Sequence, residues 1–301
     1  RRMNKKTFST SCILFLTSAM IAFAGDTSVS LENDKSLEDL DAGSGHRITS
    51  LFLGAAVTNK SASSLQKTPN VQRLVLRRSL LDDEAMEHVA RLQKLEDLTL
   101  SKYCTDNGLQ KLAALSNLKR LSAGGATLTE RSFGTIAQLT KLKRLDLTGS
   151  KITGLSFRKL AGLRGLKALI LGQTPMTDKG LQELVAACPK LEVLVLSETR
   201  VDDASLRKLN SMKNLKSIDL AKTNISAESL QNLPTSLEYI GLSGTSLDDD
   251  VWAELKRFRS VRFLELSSTD VSDVPKSFGT TWPQLTYLGL EGTNVSREKR
   301  K

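Results

Sequence analysis

Eleven units whose starts are spaced 22 to 25 residues apart follow one another from Ile48 onward, and nothing else in this chain constrains its fold as strongly. They begin at Ile48, Val71, Leu95, Leu118, Leu142, Leu166, Leu191, Leu215, Leu237, Val261 and Leu285. Each opens with apolar residues at its first, fourth and sixth places, as in Leu191-Glu192-Val193-Leu194-Val195-Leu196 and Leu215-Lys216-Ser217-Ile218-Asp219-Leu220. Such a run is a short strand with one face buried. After a turn that usually carries Thr (Thr174, Thr199, Thr223, Thr245, Thr269, Thr293), apolar residues return at helical spacing, as in Leu206, Leu209 and Met212. No single unit can bury its own leucines, so stability has to come from stacked neighbours.

The return legs share a start signal. Thr58, Asp82, Thr105, Thr129, Thr153, Thr177, Asp202, Ser226, Asp248, Ser272 and Ser296 stand where a side-chain oxygen can accept from the free N–H groups of a first helical turn. The acid clusters Asp82-Asp83-Glu84, Asp202-Asp203 and Asp248-Asp249-Asp250 fall on these starts, so we assign them to capping rather than to calcium. The expected product is an α/β solenoid with a parallel sheet of about eleven strands on its concave face and helices on its convex face. At the usual strand spacing that sheet is about 50 Å across.

The L-x-x-L-x-L opening resembles the leucine-rich repeat family, and the likeness covers Ile48 to about Ser296. Thr174 to Leu181 and Cys188-Pro189-Lys190-Leu191 are similar to the cysteine-containing subclass found in bacterial exported proteins and in F-box substrate receptors. The resemblance implies a horseshoe and, by default, protein–protein interaction. One departure matters. Where many family members carry Asn or Cys, this chain has Thr, and the early units have Ala56, Ser79, Tyr103, Ala126 or Ser150, so less regular early turns are expected.

A net charge of +10 raises nucleic acid or an anionic membrane as a partner, but its location removes most of that case. Arg1 to Lys6 carry four bases, Ser11 to Ala24 is almost wholly apolar or small, and the stretch ends Ala22-Phe23-Ala24. This is the layout of a secretory signal peptide, with cleavage expected between Ala24 and Gly25. A permanent anchor needs about 20 apolar residues, more than are present. Without residues 1–24 the charge is +6, and the basic tail at 297–301 supplies +3 of that, leaving the body nearly balanced. We therefore expect an exported protein (periplasmic, cell-surface or secreted) with no nucleic-acid partner and no membrane span after cleavage. Residues 25–47 read as an acidic leader and N-terminal cap, with Leu31, Leu37 and Leu40 to cover the first unit, and the solenoid occupies 48–296. The last unit lacks a helix, which leaves a covering partner, a homodimer contact and a chain that simply stops as open explanations.

Little here suggests catalysis. His46 and His88 have no Ser or Cys placed to form a triad, and no P-loop, G-x-S-x-G, H-E-x-x-H or C-x-x-C spacing occurs. We expect no enzyme activity, no cofactor and no metal. Cys104 and Cys188 fall about three layers apart on opposite edges, too far for a disulfide, so both are expected to be free. Trp252 and Trp282 fall on inward helical places and are expected to fill the core.

The informative surface is the strand face that points away from the leucines. Early units place Arg73, Arg77, Arg120 and Arg144 there, middle units Ala168, Ile170, Val193 and Val195, and late units Tyr239, Phe263 and Tyr287. Arginines, an apolar centre and aromatics are residue types enriched at protein interfaces. We expect this array to take a protein, a peptide or a surface glycan, with Ile170, Val193 and Val195 forming an exposed apolar patch. An intracellular adaptor resembling F-box substrate receptors is the alternative, opposed by the signal peptide.

Overall fold

The repeat dictates the architecture. In a computed structural model that describes residues 27–296, twelve strands form one sheet in strict chain order, every pair parallel. They are β1 (Ser28–Asn33), β2 (Ser50–Ala56), β3 (Arg73–Val75), β4 (Asp97–Thr99), β5 (Arg120–Ser122), β6 (Arg144–Asp146), β7 (Ala168–Ile170), β8 (Val193–Val195), β9 (Ser217–Asp219), β10 (Tyr239–Gly241), β11 (Phe263–Glu265) and β12 (Tyr287–Gly289). Each return leg carries the chain back to its starting edge, so the next strand can only lie parallel to the last. The fourth-place residues Leu74, Leu98, Leu121, Leu145, Leu169, Leu194, Ile218, Ile240 and Leu264 run through the core as one buried column.

The sheet has one strand more than the repeat count implies. The segment expected to be a leader and cap folds as a further turn of the solenoid, with β1 paired along β2 and a helix at Asp34–Glu38 held by a capping box between Asn33 and Ser36. Its Leu31 and Leu37 are buried, which covers the apolar face of the first recognisable unit. The pattern hides this turn because its strand places in register with Leu51 and Leu53 are Val29 and Leu31, only one of them leucine. Residues 1–26 and 297–301, which include the expected signal peptide, its Ala24/Gly25 junction and the basic tail, lie outside the described residues. No helix among the described residues is long and apolar enough to cross a membrane.

The threonine turns have a clear physical role. Thr174, Thr199, Thr223, Thr245, Thr269 and Thr293 each donate Oγ1–H to the carbonyl three residues back at 2.5–2.8 Å, filling an acceptor inside the layer. The residue before each turn position takes a left-handed conformation at Gly125, Gly149, Gln173, Glu198, Lys222, Gly244, Ser268 and Gly292. For a residue other than Gly this costs about 1 kcal/mol or more. Its N–H then meets a carbonyl of the next layer, as Gln173 meets Ser197 at 2.9 Å and Lys222 meets Ser243 at 2.7 Å. The turns after β3 and β4, where Ser79 and Tyr103 replace Thr, contain no such residue, in line with the expected irregularity.

The return legs are less helical than their pattern suggests. Among the described residues only Asp178–Ala187 forms a ten-residue α-helix; the other legs are α segments of six residues or fewer or 3₁₀ segments such as Asn59–Lys67 and Phe157–Gly162. A 3₁₀ segment rises about 2.0 Å per residue against about 1.5 Å for an α-helix, so it crosses the layer with fewer residues. Thr58, Asp82, Thr105, Thr129, Thr177, Asp202 and Asp248 accept from N–H groups two or three residues on, as expected.

The neighbouring acids do something else. Asp34 accepts from Thr58 N and Oγ1, Asp83 from Thr105 N and Oγ1, Asp106 from Thr129 N and Oγ1, and Asp249 from Ser272 N and Oγ. Asp203 accepts from Ser226 N. In each acidic doublet the first carboxylate caps its own leg and the second clips the start of the next. Burial alone would raise the carboxyls of Asp34, Asp203 and Asp249, but the bonds they receive outweigh it and hold all three below the ordinary range.

Cys104 and Cys188 are both free and buried, and burial pushes each thiol up to about 12, with the Asp83 charge adding to the effect at Cys104. Trp252 and Trp282 fill the core of the last layers, packed with Phe278 at ring distances of 5.1–5.9 Å. The indole of Trp252 donates to Asp273 O at 2.9 Å.

Candidate recognition surface on the concave sheet

Strand alternation turns the third and fifth places of each unit onto the face opposite the leucine column. Ladder register then fixes their neighbours. Arg73 pairs with Asp97, Asp97 with Arg120, Arg120 with Arg144 and Arg144 with Ala168. Asp97, absent from the residues that the sequence singled out, sits between two arginines and binds both: its Oδ2 lies 3.2 Å from Arg73 Nε and 2.9 Å from Arg120 Nε. Its place in the third-position row was the available signal. Arg77 does not join this row, because it lies exposed in the turn that follows β3.

Arg144 is the cation left over. Asp146, two residues on, is occupied by Ser122 Oγ at 3.2 Å and by the N–H and hydroxyl of Thr148 at 3.0 and 2.7 Å. Arg144 Nη1 is buried without a hydrogen-bond partner. Burial lowers the guanidinium's pKa, with the Arg120 charge adding to that and Asp146 and Asp97 opposing it.

The centre differs from expectation. Ile170, Val193 and Val195 are not an exposed patch: they keep only 8%, 9% and 5% of their surface. Together with Ala168 and Tyr239 they close into a second hydrophobic cluster, with Phe263 packed against it. The reason is curvature. On the inside of a bend, adjacent strands tilt their outward side chains toward one another, and β-branched residues are wide enough at Cβ to touch. The centre of the concave face is thus a sealed floor.

The late strands align Tyr239, Phe263 and Tyr287 across β10 to β12, as the third-place pattern requires. Tyr239 is buried, whereas Phe263 and Tyr287 remain half-buried. The fifth places alternate acid and glycine: Asp219, Gly241, Glu265, Gly289. The glycines make room. A Cβ on Gly241 would stand 2.7 Å from Asp219 Oδ1 and 2.9 Å from the Tyr239 hydroxyl, and one on Gly289 would stand 2.0 Å from Glu265 Oε1. Tyr287 donates its hydroxyl to Glu265 Oε2 at 3.0 Å.

Asp219 lies between these glycines and the floor. Burial pushes its carboxyl up to about 6, the N–H of Ala221 and the Ser197 hydroxyl oppose this, and the charges of Glu265 and Glu198 add to it. From β8 it faces Val195, and from β10 it faces Gly241. Because the folded state holds this proton more tightly than the unfolded chain, stability falls as pH rises from about 4 through about 6. The depressed carboxyls of Asp34, Asp203 and Asp249 act in the opposite sense, their contribution being lost as pH falls below about 4. Asp219→Asn should abolish the decline between pH 4 and 6 and leave the acid limb intact. Thermal midpoints across pH 3 to 8 check this, and an identical profile for both proteins would contradict it.

The fold and the repeat geometry define a leucine-rich repeat solenoid. A family model described as the repeats of the FBD-associated F-box protein At5g56370 matches residues 105–235. Among solved structures, an internalin (inlF) of Listeria monocytogenes superposes with a TM-score of 0.57 at 18% identity, covering 88% of this chain and 82% of that one. The mouse RP105/MD-1 complex gives 0.61 at 18% identity over 83% of this chain and 43% of that one. The TLR13–ssRNA13 complex gives 0.57 at 20% identity over 87% and 38%. At these identities the likeness is one of fold. No curated protein matches the sequence.

Proposed function

We propose that this chain is an exported, non-catalytic recognition protein that binds a protein or peptide partner across its concave sheet. The observation that carries this is the single continuous register of that face, with half-buried Arg73, Arg120 and Arg144 at one end and half-buried Phe263 and Tyr287 at the other. Arginine and aromatic side chains on a rigid sheet are the usual anchors of protein interfaces. RP105 carries the same fold in its complex with MD-1, and TLR13 carries it in complex with ssRNA13. A protein ligand is favoured over a nucleic acid, because the charge of the body is nearly balanced and two of the three arginines already share Asp97. Export rests on the basic start, apolar run and Ala22-Phe23-Ala24 ending of the sequence, so the mature protein should begin at Gly25 on N-terminal sequencing. The adaptor alternative draws on the name of the matching family model, which describes repeats.

Phe263→Ala combined with Tyr287→Ala, and separately Arg144→Glu, should reduce capture of the partner from cell-surface extracts by about tenfold or more. Thermal unfolding of the variants serves as the control for folding. Capture that persists in both variants would leave the concave face a structural surface.

A further inference from the structure

Two of the three buried polar side-chain atoms that lack a hydrogen-bond partner among the described residues lie at the sealed floor of the concave sheet. Arg144 Nη1 stands at its early edge and Ser217 Oγ in its late half, between Val193 and Tyr239. An unmatched buried polar atom is costly and rare, so two on one face call for an explanation. They are also ordered by charge. Beside Arg144 stand Asp146, which accepts only from the neutral Ser122 and Thr148, and exposed Lys143, which has no counter-ion among the described residues, whereas Lys119 and Lys167 on the flanking units pair with Glu96 and Glu192. Beside Ser217 stands Asp219, with Glu265 two strands further on.

The spacing is equally specific. Arg144, Ala168, Val193 and Ser217 occupy one register row on consecutive strands, so Arg144 and Ser217 are three strand steps apart, about 14 Å. An extended peptide laid across the strands advances about 3.4 Å per residue and turns every second side chain to the same face. Its sheet-facing side chains are therefore about 7 Å apart, and the third of them lands about 14 Å from the first. If the first lies over Arg144, the second lies over Ile170, Val193 and Val195, and the third over Ser217 and Asp219.

We propose that this face receives an extended segment of a protein partner with the pattern acidic–x–apolar–x–basic, its carboxylate on Arg144, its apolar side chain across the floor and its cation over Asp219. This rests on the concave face being the recognition surface. Because the floor is sealed, the apolar side chain lies along it rather than entering a pocket. The carboxylate supplies the ion-pair partner that Arg144 lacks among the described residues, meeting the part of the half-buried guanidinium that stays open, in the charge-assisted form such groups bind best. Tyr239, in register with Ser217 on the far side, closes the late border.

The test uses fluorescein-labelled peptides titrated with the protein and followed by anisotropy. Acetyl-Gly-Asp-Ser-Leu-Ser-Lys-Gly-amide should bind saturably and about tenfold tighter than acetyl-Gly-Asp-Leu-Lys-Ser-Ser-Gly-amide, which has the same composition without the alternation. Arg144→Glu should reverse the preference toward a peptide with Lys at both charged places. Equal binding of the two isomers, no saturation up to about 1 mM, or no effect of Arg144→Glu would overturn the proposal. A second measurement needs no ligand: Arg144→Met removes a largely buried cation that makes no ion pair among the described residues while keeping its bulk, so it should raise the thermal midpoint as it abolishes peptide binding. A lowered midpoint would make Arg144 a structural residue and overturn its role as anchor. Should partner capture depend on Phe263 and Tyr287 while every peptide fails, the chemistry of the segment is wrong and the recognition surface stands. Should capture ignore those residues, the surface falls and this proposal with it.

Discussion

Replacing Glu130 by Ala should lower the unfolding free energy by about 3 kcal/mol, a large fraction of what holds a protein folded. Glu130 is the most heavily used of the carboxylates that clip one layer to the next. Its Oε1 accepts from Thr153 N at 2.8 Å, Thr153 Oγ1 at 2.9 Å and Gly154 N at 2.9 Å, and its Oε2 accepts from Ser156 N at 3.1 Å. The return leg it serves, Phe157–Gly162, has no side-chain cap of its own. Removing the carboxylate therefore orphans three backbone donors that no other side chain reaches. Each such group costs about 1–3 kcal/mol when buried, and partial burial here argues for the low end. Glu130→Gln keeps one carbonyl oxygen for Thr153 and Gly154 and forfeits the bond from Ser156, so it should cost about 1 kcal/mol. Urea unfolding of the three proteins checks the order, and a Glu130→Ala midpoint equal to that of the parent would show that the clip does not stabilise.

The clips also show what the sequence could and could not disclose. The acids at helix starts were visible as caps because capping is local: a carboxylate and an N–H two or three residues on are neighbours in any conformation with a helical first turn. That Asp83, Asp203 and Asp249 serve the following layer was not visible, because it depends on how closely layers stack and not on spacing within a unit. The strand column was fully legible, since inward leucines at fixed places are the condition for stacking. The concave face was legible by row and not by exposure. Register put Tyr239 beside Phe263 and Arg120 beside Arg144 as the pattern implied, yet Ile170, Val193 and Val195 closed over one another because curvature belongs to the whole stack. Arg144 looked like its neighbours in the sequence. Only the pairing of Asp97 with Arg73 and Arg120, and of Asp146 with Ser122 and Thr148, leaves it as the unmatched one.

Layer spacing can be probed with a single methyl group. Gly180→Ala should destabilise the protein by about 3 kcal/mol, although helix propensity alone would make it stabilising by about 1 kcal/mol. Gly180 sits in the first turn of the Asp178–Ala187 helix and faces Gly154 of the preceding layer. A Cβ there would stand 2.2 Å from Thr153 O and 2.9 Å from Gly154 Cα, both backbone atoms that cannot rotate aside. The same carbonyl accepts from Thr177 N at 3.1 Å and Thr177 Oγ1 at 3.2 Å, so pushing it away also breaks the bonds that seat the helix. Overpacking costs about 1–3 kcal/mol and two lost hydrogen bonds about 1 kcal/mol each, which together exceed the propensity gain. Gly134 supplies the contrast. It lies in the single helical turn Phe133–Ile136 with nothing within 4 Å of an added Cβ, so Gly134→Ala should stabilise by about 0.5–1 kcal/mol. Opposite signs for the two substitutions in denaturant titrations would confirm that backbone contact between layers holds the spacing. A stabilising Gly180→Ala would mean that the layers can part by the width of a methyl group, and with them the strand register on which the concave face depends.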